Sequence, residues 1–265
     1  VSKRRVSDRA ANLDGVVPIL QYHRVVANAG KYDRTPEDFR NDLKRVYDLG
    51  FRPVSLMSYL DNKMDLPPGA SPIVFTFDDS SISQFRILEN GEIDPECAVG
   101  IWLEFAKEHP DFPLIATFYI MPNPFFGQPK FAERKAELLR EWGCEIGNHT
   151  MTHPNLSKLS DDEAKKEIAE VIDFANRFGF RVDSIALPMG IFPKNRELVK
   201  KFTYKGKTYA MRAALLVGAN PAPSPSSEKL DPYRIPRIQA VEGDYGITYW
   251  LDKIEKGEVK TFVAP

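Results

Sequence analysis

Apolar and polar positions along the chain follow two alternating periods. Short apolar runs of strand length occur at Val16-Val17-Pro18-Ile19-Leu20, Pro72-Ile73-Val74-Phe75-Thr76-Phe77 and Leu114-Ile115-Ala116-Thr117-Phe118-Tyr119. Between them, apolar residues return every three or four positions, as in Phe39, Leu43, Val46 and Leu49. That stretch opens on Thr35-Pro36-Glu37-Asp38, an N-cap with Pro at the first helical position and acids in the first turn, and it stops at Gly50. Further helices are expected near 95–109, near 131–142, from Ser160 to Gly179 and near 247–255. The third of these starts with Asp161-Asp162-Glu163 behind a Ser cap and carries Ile168, Val171, Ile172 and Ala175 on one face. Glu145-Ile146, Ser184-Ile185-Ala186-Leu187, Thr208 to Val217 and Arg234 to Ala240 read as additional strands.

Strands and helices alternating this often predict an α/β fold with a parallel sheet, and a barrel is the economical closure at 265 residues. Residues 1–14, charged and without apolar periodicity, read as an N-terminal tail or linker, and residues 15–265 as one domain. The Pro-rich stretches 121–129 and 220–227 hold neither helix nor central strand and read as loops. Lys and Arg number 36 against 37 Asp and Glu, so no global field draws in nucleic acid or an anionic membrane. Cys97 and Cys144 allow at most one bridge, which excludes a disulfide-built fold. No stretch reaches the roughly 18 apolar residues of a membrane span. The chain opens on Val1, with Ser2-Lys3-Arg4-Arg5 behind it, which leaves a trimmed export signal or anchor open.

Two segments carry candidate chemistry. Asp78-Asp79 directly follow an apolar strand, at the end that faces the active-site mouth of a parallel barrel. Gly147-Asn148-His149-Thr150-Met151-Thr152-His153-Pro154 follows another, and its two His converge if the segment takes one helical turn. It is not the zincin motif, because Thr150 stands where that helix carries its Glu. One carboxylate and two imidazoles leave positions open for water and substrate, as catalytic Zn²⁺ requires; non-haem iron sites use the same set. A second, adjacent Asp left free as a base favours a hydrolase.

Thr76-Phe77-Asp78-Asp79 followed by His149-Thr150-Met151-Thr152-His153 resembles the first two motifs of the polysaccharide deacetylases, the NodB-homology domain of carbohydrate esterase family four. The resemblance spans about residues 16–255 and implies a distorted (β/α) barrel. It implies Asp78 as catalytic base, and Asp79, His149 and His153 as ligands of one divalent metal ion, Zn with Co or Ni as alternatives. Pro18-Ile19-Leu20-Gln21-Tyr22-His23-Arg24-Val25 is similar to the opening of the permuted branch that includes the poly-β-1,6-N-acetylglucosamine deacetylases, which implies His23 as the general acid. No His follows His153, in keeping with that branch; His109, between Glu108 and Pro110, reads as an exposed loop residue.

The third motif departs from the family, whose Arg-x-Pro-Tyr-Gly is replaced by Ala186-Leu187-Pro188-Met189-Gly190. Losing a cation beside the base would raise its pKa and loosen it, so either an Arg of Tyr233-Arg234-Ile235-Pro236-Arg237 substitutes, with Arg237 preferred to Arg234, or the metal's charge suffices. By the same resemblance Pro188 and the Met189 N–H bind the oxyanion, a function that does not need the lost Tyr side chain. Phe125-Phe126 and Trp250 are candidate sugar-stacking surfaces, although ordinary packing is the preferred reading of each.

The resemblance therefore implies metal-dependent removal of N-acetyl groups from N-acetylglucosamine units of a polysaccharide, releasing acetate, at an extracytoplasmic location. A small-amide hydrolase of the same lineage and a metal-binding, catalytically weak carbohydrate-binding protein are the rivals. The partner expected is the glycan, not nucleic acid.

Overall fold

The computed structural model describes residues 6–265, and the basic run Ser2-Lys3-Arg4-Arg5 lies outside the described residues. In chain order the elements are β1 (Ile19–Tyr22), α1 (Pro36–Asp48), β2 (Phe51–Pro53), α2 (Leu56–Leu60), β3 (Ser71–Asp78), α3 (Ala98–Glu108), β4 (Thr117–Ile120) and α4 (Ala132–Glu141). Then come β5 (Glu145–Asn148), α5 (Asp161–Arg177), β6 (Ser184–Ala186), β7 (Lys201–Tyr204), β8 (Lys207–Ala210), β9 (Ala213–Leu215), β10 (Ile238–Gln239) and α6 (Ile247–Glu255). Eight strands form one parallel sheet in the order β10-β1-β3-β4-β5-β6-β9, with β2 also on β3. The segment before β10 meets β9 through Leu215 and Ile235, while β10 itself pairs with β1. The sheet thus curls almost into a ring, a distorted (β/α) barrel.

Period-two alternation sets the two faces of the strands. Phe75 and Phe77 of β3, Tyr22 of β1, Phe118 of β4 and Ile146 of β5 pack outward with the helices, joined by Phe39, Trp102 and Ile168. The intervening positions face inward: Ile19, Val74, Tyr119, Ala186 and Leu215 fill the interior. Toward the carboxyl ends of the strands this inner face turns polar, with buried Gln21, Thr76 and Asp78. Gly147 is placed where an added Cβ would come within 2.3 Å of the Tyr119 ring, so this strand position requires glycine for packing.

The helices follow their caps. Thr35 and Ser160 each form a reciprocal capping box, with Asp38 and Glu163. Expected and observed elements differ in several places. The expected strand 208–217 is two, β8 and β9, because β7 and β8 form a separate antiparallel hairpin. Its turn needs two left-handed residues, Lys205 (φ 48°) and Gly206 (φ 77°), which match the strand twist. Expected strand 234–240 is regular only at Ile238–Gln239, and the first strand runs from Ile19 rather than Val16. His109 is not an exposed loop residue: it closes α3, packed between the rings of Tyr47 and Phe105. Phe125 and Phe126 are buried against Phe85, Phe118 and Phe178, which removes them as sugar platforms. Cys97 and Cys144 are unbridged; Cys97 Sγ accepts from the Gly100 N–H at the start of α3. Of the segment expected as a tail, Asn12 pairs with Val263 and Arg9 donates to the Gly69 carbonyl and to Thr261.

A buried cation ties the loops that follow β3 and β4 together. Lys135 of α4 is inaccessible, and its ammonium donates to the carbonyls of Phe85 and Phe126 at 2.7 and 3.0 Å. Burial pulls its pKa down to about 8 from the ordinary 10.5. The folded state therefore binds fewer protons than the unfolded state between those values, and this residue makes the fold more stable as pH rises across that window. Urea unfolding of wild type and Lys135→Met at pH 8 and pH 10 tests this. The stability difference in favour of wild type is expected to widen at the higher pH, and a difference independent of pH would show that the amine is not depressed.

Candidate active site

The carboxyl ends of β1, β3, β5 and β6 deliver the polar side chains to one cavity of about 380 Å³, walled by His23, Asp78, His149, His153 and Met189, with Tyr32 at its rim. Asp78, the last residue of β3, is 1% exposed. Both of its oxygens are engaged. Arg237 donates from Nη1 to Oδ1 at 2.7 Å and from Nη2 to Oδ2 at 2.8 Å, and Gln21 Nε2 donates to Oδ2 at 2.9 Å. Arg237 is itself fully buried, held by the Leu216 carbonyl and Thr76 Oγ1 above the Tyr119 ring. Burial alone would raise the Asp78 pKa, but the Arg237 guanidinium, aided by His149 and His23, more than reverses that and holds it far below the usual carboxylate range. Arg237, from the segment leading into β10, thus stands against Asp78 although the motif Arg is absent; Arg234 lies elsewhere, over the Phe192 ring.

Asp79, one residue on, turns away from its neighbour through a left-handed backbone (φ 76°). Its Oδ1 lies 3.2 Å from His149 Nε2 and 4.0 Å from His153 Nε2. Ligand atoms of Asp79, His149 and His153 all fall within 4.8 Å of one another. No helical turn brings the two His together, contrary to the sequence expectation. Thr150 (φ 65°) and His153 (φ 55°) are left-handed, and the loop is pinned by Asn148 Oδ1 on the Thr150 N–H and by Glu167 of α5 on the N–H groups of Met151 and Thr152. Non-glycine residues in this region cost energy and persist only where their surroundings dictate them.

The donor set fits a divalent cation. His149 Nδ1 is 2.8 Å from the Ala186 carbonyl, which can only accept, so the proton sits on Nδ1 and the Nε2 lone pair faces Asp79. Both His149 Nε2 and Asp79 Oδ1 are buried without a hydrogen-bond partner among the described residues. Two lone pairs aimed at each other across 3.2 Å call for a positive charge between them. A two-nitrogen, one-oxygen set suits Zn²⁺, Co²⁺ or Ni²⁺ better than Mg²⁺ or Ca²⁺. Burial lowers the His149 pKa, but Asp78 and Asp79 outweigh it and raise the group overall; His153 is lowered, first by burial and then by His149.

His23 lines the same cavity, and its ring makes no hydrogen bond among the described residues. Its nearest ring neighbour is Tyr32, 6.2 Å away between centroids. The Pro188–Gly190 turn puts Met189 in a left-handed conformation (φ 56°), half-exposed at the cavity edge, and its N–H has no partner among the described residues. Trp250 lies off this cavity, donating to the Ala219 carbonyl. The site also contains residues that sequence reasoning missed. Gln21 could have been found, as an amide inside an apolar strand. Gln84, whose Nε2 donates to the carbonyls of both His23 and Asp78, has no such signal.

Comparison with known proteins bears on the same site. Residues 104–206 match the family model of the polysaccharide deacetylases, a span that contains His149 and His153 but not Asp78 and Asp79. A peptidoglycan-N-acetylglucosamine deacetylase of Bacillus cereus is 25% identical over 176 residues, covering 66% of this chain and 57% of that protein. The chain therefore spans little more than half of that relative. Among solved structures, the deacetylase PplD of Streptococcus pyogenes superposes with a TM-score of 0.64 at 18% identity, covering 90% of this chain and 98% of that one. IcaB of Ammonifex degensii gives 0.63 at 17% identity, with coverage of 90% and 96%. At such identities these two establish the shared fold.

Calorimetric titration with Zn²⁺ is expected to give one ion per chain. Replacing His149 with Ala should weaken uptake at least about tenfold, as loss of a metal ligand or its support does. Uptake unchanged in His149→Ala would remove the triad as the metal site.

Proposed function

Because this chain belongs to the polysaccharide deacetylases of the NodB type, we propose that it hydrolyses the N-acetyl groups of N-acetylglucosamine units in a polysaccharide and releases acetate. The observation that carries the reading is a division of labour between neighbours: Asp78, clamped by Arg237, stays outside the metal-ligand triad of Asp79, His149 and His153. Asp79, His149 and His153 would hold the metal ion, which when bound supplies Lewis-acid polarisation and acidifies a water.

The remaining work falls to the chain's own groups. Asp78 accepts the proton of the attacking water. Its position is fixed by three donors, and it is ionised at neutral pH because Arg237 offsets the cost of burial. A strongly depressed pKa makes it a weak base, so its contribution rests on orientation more than on basicity. The Met189 N–H donates to the oxygen on which negative charge develops. His23 protonates the departing nitrogen, which leaves badly as an amide anion; the free ring nitrogens and the shared cavity support this role. A general acid on the first strand is the arrangement of the permuted branch. We place the activity outside the cytoplasm, where peptidoglycan and extracellular glycans are found; among the described residues no helix is long and apolar enough to cross a membrane.

Acetate release from N-acetylglucosamine oligomers is the test. Zinc-loaded protein should release acetate, lose the activity on chelation and regain it when metal is returned. His23→Ala should lower kcat by about 10²–10⁴ with metal uptake unchanged. Arg237→Lys keeps the charge but loses the planar fork, and should lower kcat with little change in KM. Wild-type turnover in His23→Ala would remove His23 from the reaction, and no acetate release from any acetylated glycan would leave a binding protein.

A further inference from the structure

We propose that the cavity on the far side of the Met189 turn is a subsite for an anionic substituent, a carboxylate or a phosphate, on the sugar next to the one being deacetylated. The proposal rests on the deacetylase reading for what occupies the neighbouring pocket. This second cavity measures about 580 Å³ and shares Met189 and Val217 with the first, so the two meet along a ridge formed by those side chains. Its wall carries Lys194, Arg196 and Arg234 and no acidic side chain.

None of the three cations makes a hydrogen bond or ion pair among the described residues. Arg196 and Arg234 are instead laid over a single ring, that of Phe192, at 4.9 and 5.7 Å from its centroid. Many of the chain's other guanidiniums pair with carboxylates, as in Arg24–Asp33, Arg34–Asp42, Arg45–Asp252, Arg52–Asp111 and Arg212–Asp61. In a chain whose formal net charge is -1, three unpaired cations on one acid-free wall are a local concentration of positive potential. Stacking on Phe192 restrains the two guanidiniums while leaving their N–H edges free, and those edges match the paired oxygens of a carboxylate or phosphate. The Met189 turn lies close against Val217: a Cβ on Gly190 (φ 70°) would meet the Val217 nitrogen at 3.2 Å. A polymer threaded past Met189 with its acetyl group in the first cavity brings an adjoining residue over the second, where a charge on that residue would be read.

The test compares zinc-loaded wild type with the triple variant Lys194→Gln, Arg196→Gln, Arg234→Gln. Substrates are acetylated oligosaccharides of equal length that are neutral, carboxylate-bearing or phosphate-bearing on alternate sugars. Wild type should favour an acidic oligomer over the neutral one by about tenfold in kcat/KM, the sum of three modest ion pairs, and added salt should erode the preference. The triple variant should lose the preference while its kcat/KM on the neutral oligomer is unchanged; whichever acidic series is favoured identifies the anion. Calorimetric binding of the same oligomers separates the two ideas. Charge-selective binding that disappears in the triple variant, without turnover of any oligomer, would sink the deacetylase reading and keep the subsite. Turnover of neutral and acidic oligomers at equal kcat/KM with equal affinity, or a preference that survives in the triple variant, would overturn the subsite and leave the deacetylase reading intact.

Discussion

The bidentate pair between Asp78 and Arg237 is the contact on which the upper half of this barrel depends. Both partners are inaccessible, and two charges removed from water are tolerated only when each is paired and its remaining donors and acceptors are met. Here they are: Gln21 completes the carboxylate, while Thr76 and the Leu216 carbonyl complete the guanidinium. The partners come from β3, in mid-sheet, and from the segment that bridges β9 to β10 at the two ends of the sheet. One ion pair therefore both orients a carboxylate and ties the closing segment to the interior. Gly218 lets that segment pass, since a Cβ there would lie 1.6 Å from the Arg237 carbonyl oxygen.

The triad next to this pair is built differently, from backbone rather than from packed side chains. Asp79, Thr150 and His153 are all left-handed, as is Met189 across the cavity. Left-handed residues reverse the direction of a side chain within one position, which lets Asp78 engage Arg237 and Gln21 while Asp79 turns toward His153, with His149 Nε2 between them at 3.9 Å from Asp78 and 3.2 Å from Asp79. The cost is offset by hydrogen bonds that have no other evident purpose: Glu167 collecting two N–H groups, Asn148 and Thr150 bracketing the loop, and Ser80 donating to and accepting from Met121. Four left-handed residues thus surround one cavity at the carboxyl ends of the strands, where the candidate site lies.

Much of this was legible in the chain. Asp78-Asp79 and His149…His153 were visible because each follows an apolar run, and the capped helices because their Ser and Thr stand three residues before an acid. Arg237 was reachable only by elimination: a motif lacked its cation, and a late strand candidate carried two. What stayed hidden depended on backbone conformations that composition does not specify. A helical turn was the natural guess for two His four apart, yet left-handed Thr150 and His153 do the converging. The Lys205-Gly206 turn was passed over because Thr208 to Val217 reads as one apolar stretch, although a Gly between two Tyr/Thr-rich runs is a hairpin signal. For Phe125-Phe126 core packing, the favoured reading, holds; the ring contacts that bury the pair come from Phe85 and Phe178, remote in sequence, so the sequence alone does not name its neighbours.

A proton-transfer reaction across one bond needs its acid and base held at a fixed separation, and the two candidates here sit on different strands. β1 and β3 are hydrogen-bonded neighbours, with Gln21 beside Thr76 and Tyr22 beside Phe77, so His23 and Asp78 leave the sheet at the same level. Beyond that point the β1–β3 ladder ends, and Asp78 is paired only on its other side, with Tyr119 of β4. Gln84 takes over: its single amide nitrogen donates to the carbonyl of His23 and to that of Asp78, continuing the ladder with a side chain where the backbone pairing stops. The amide is inaccessible, so water does not compete for its hydrogens. The spacing between the proposed acid and base is thus set by main-chain geometry carried one step further, and the His23 ring, unbonded among the described residues, lines the cavity where the proposed substrate nitrogen would lie.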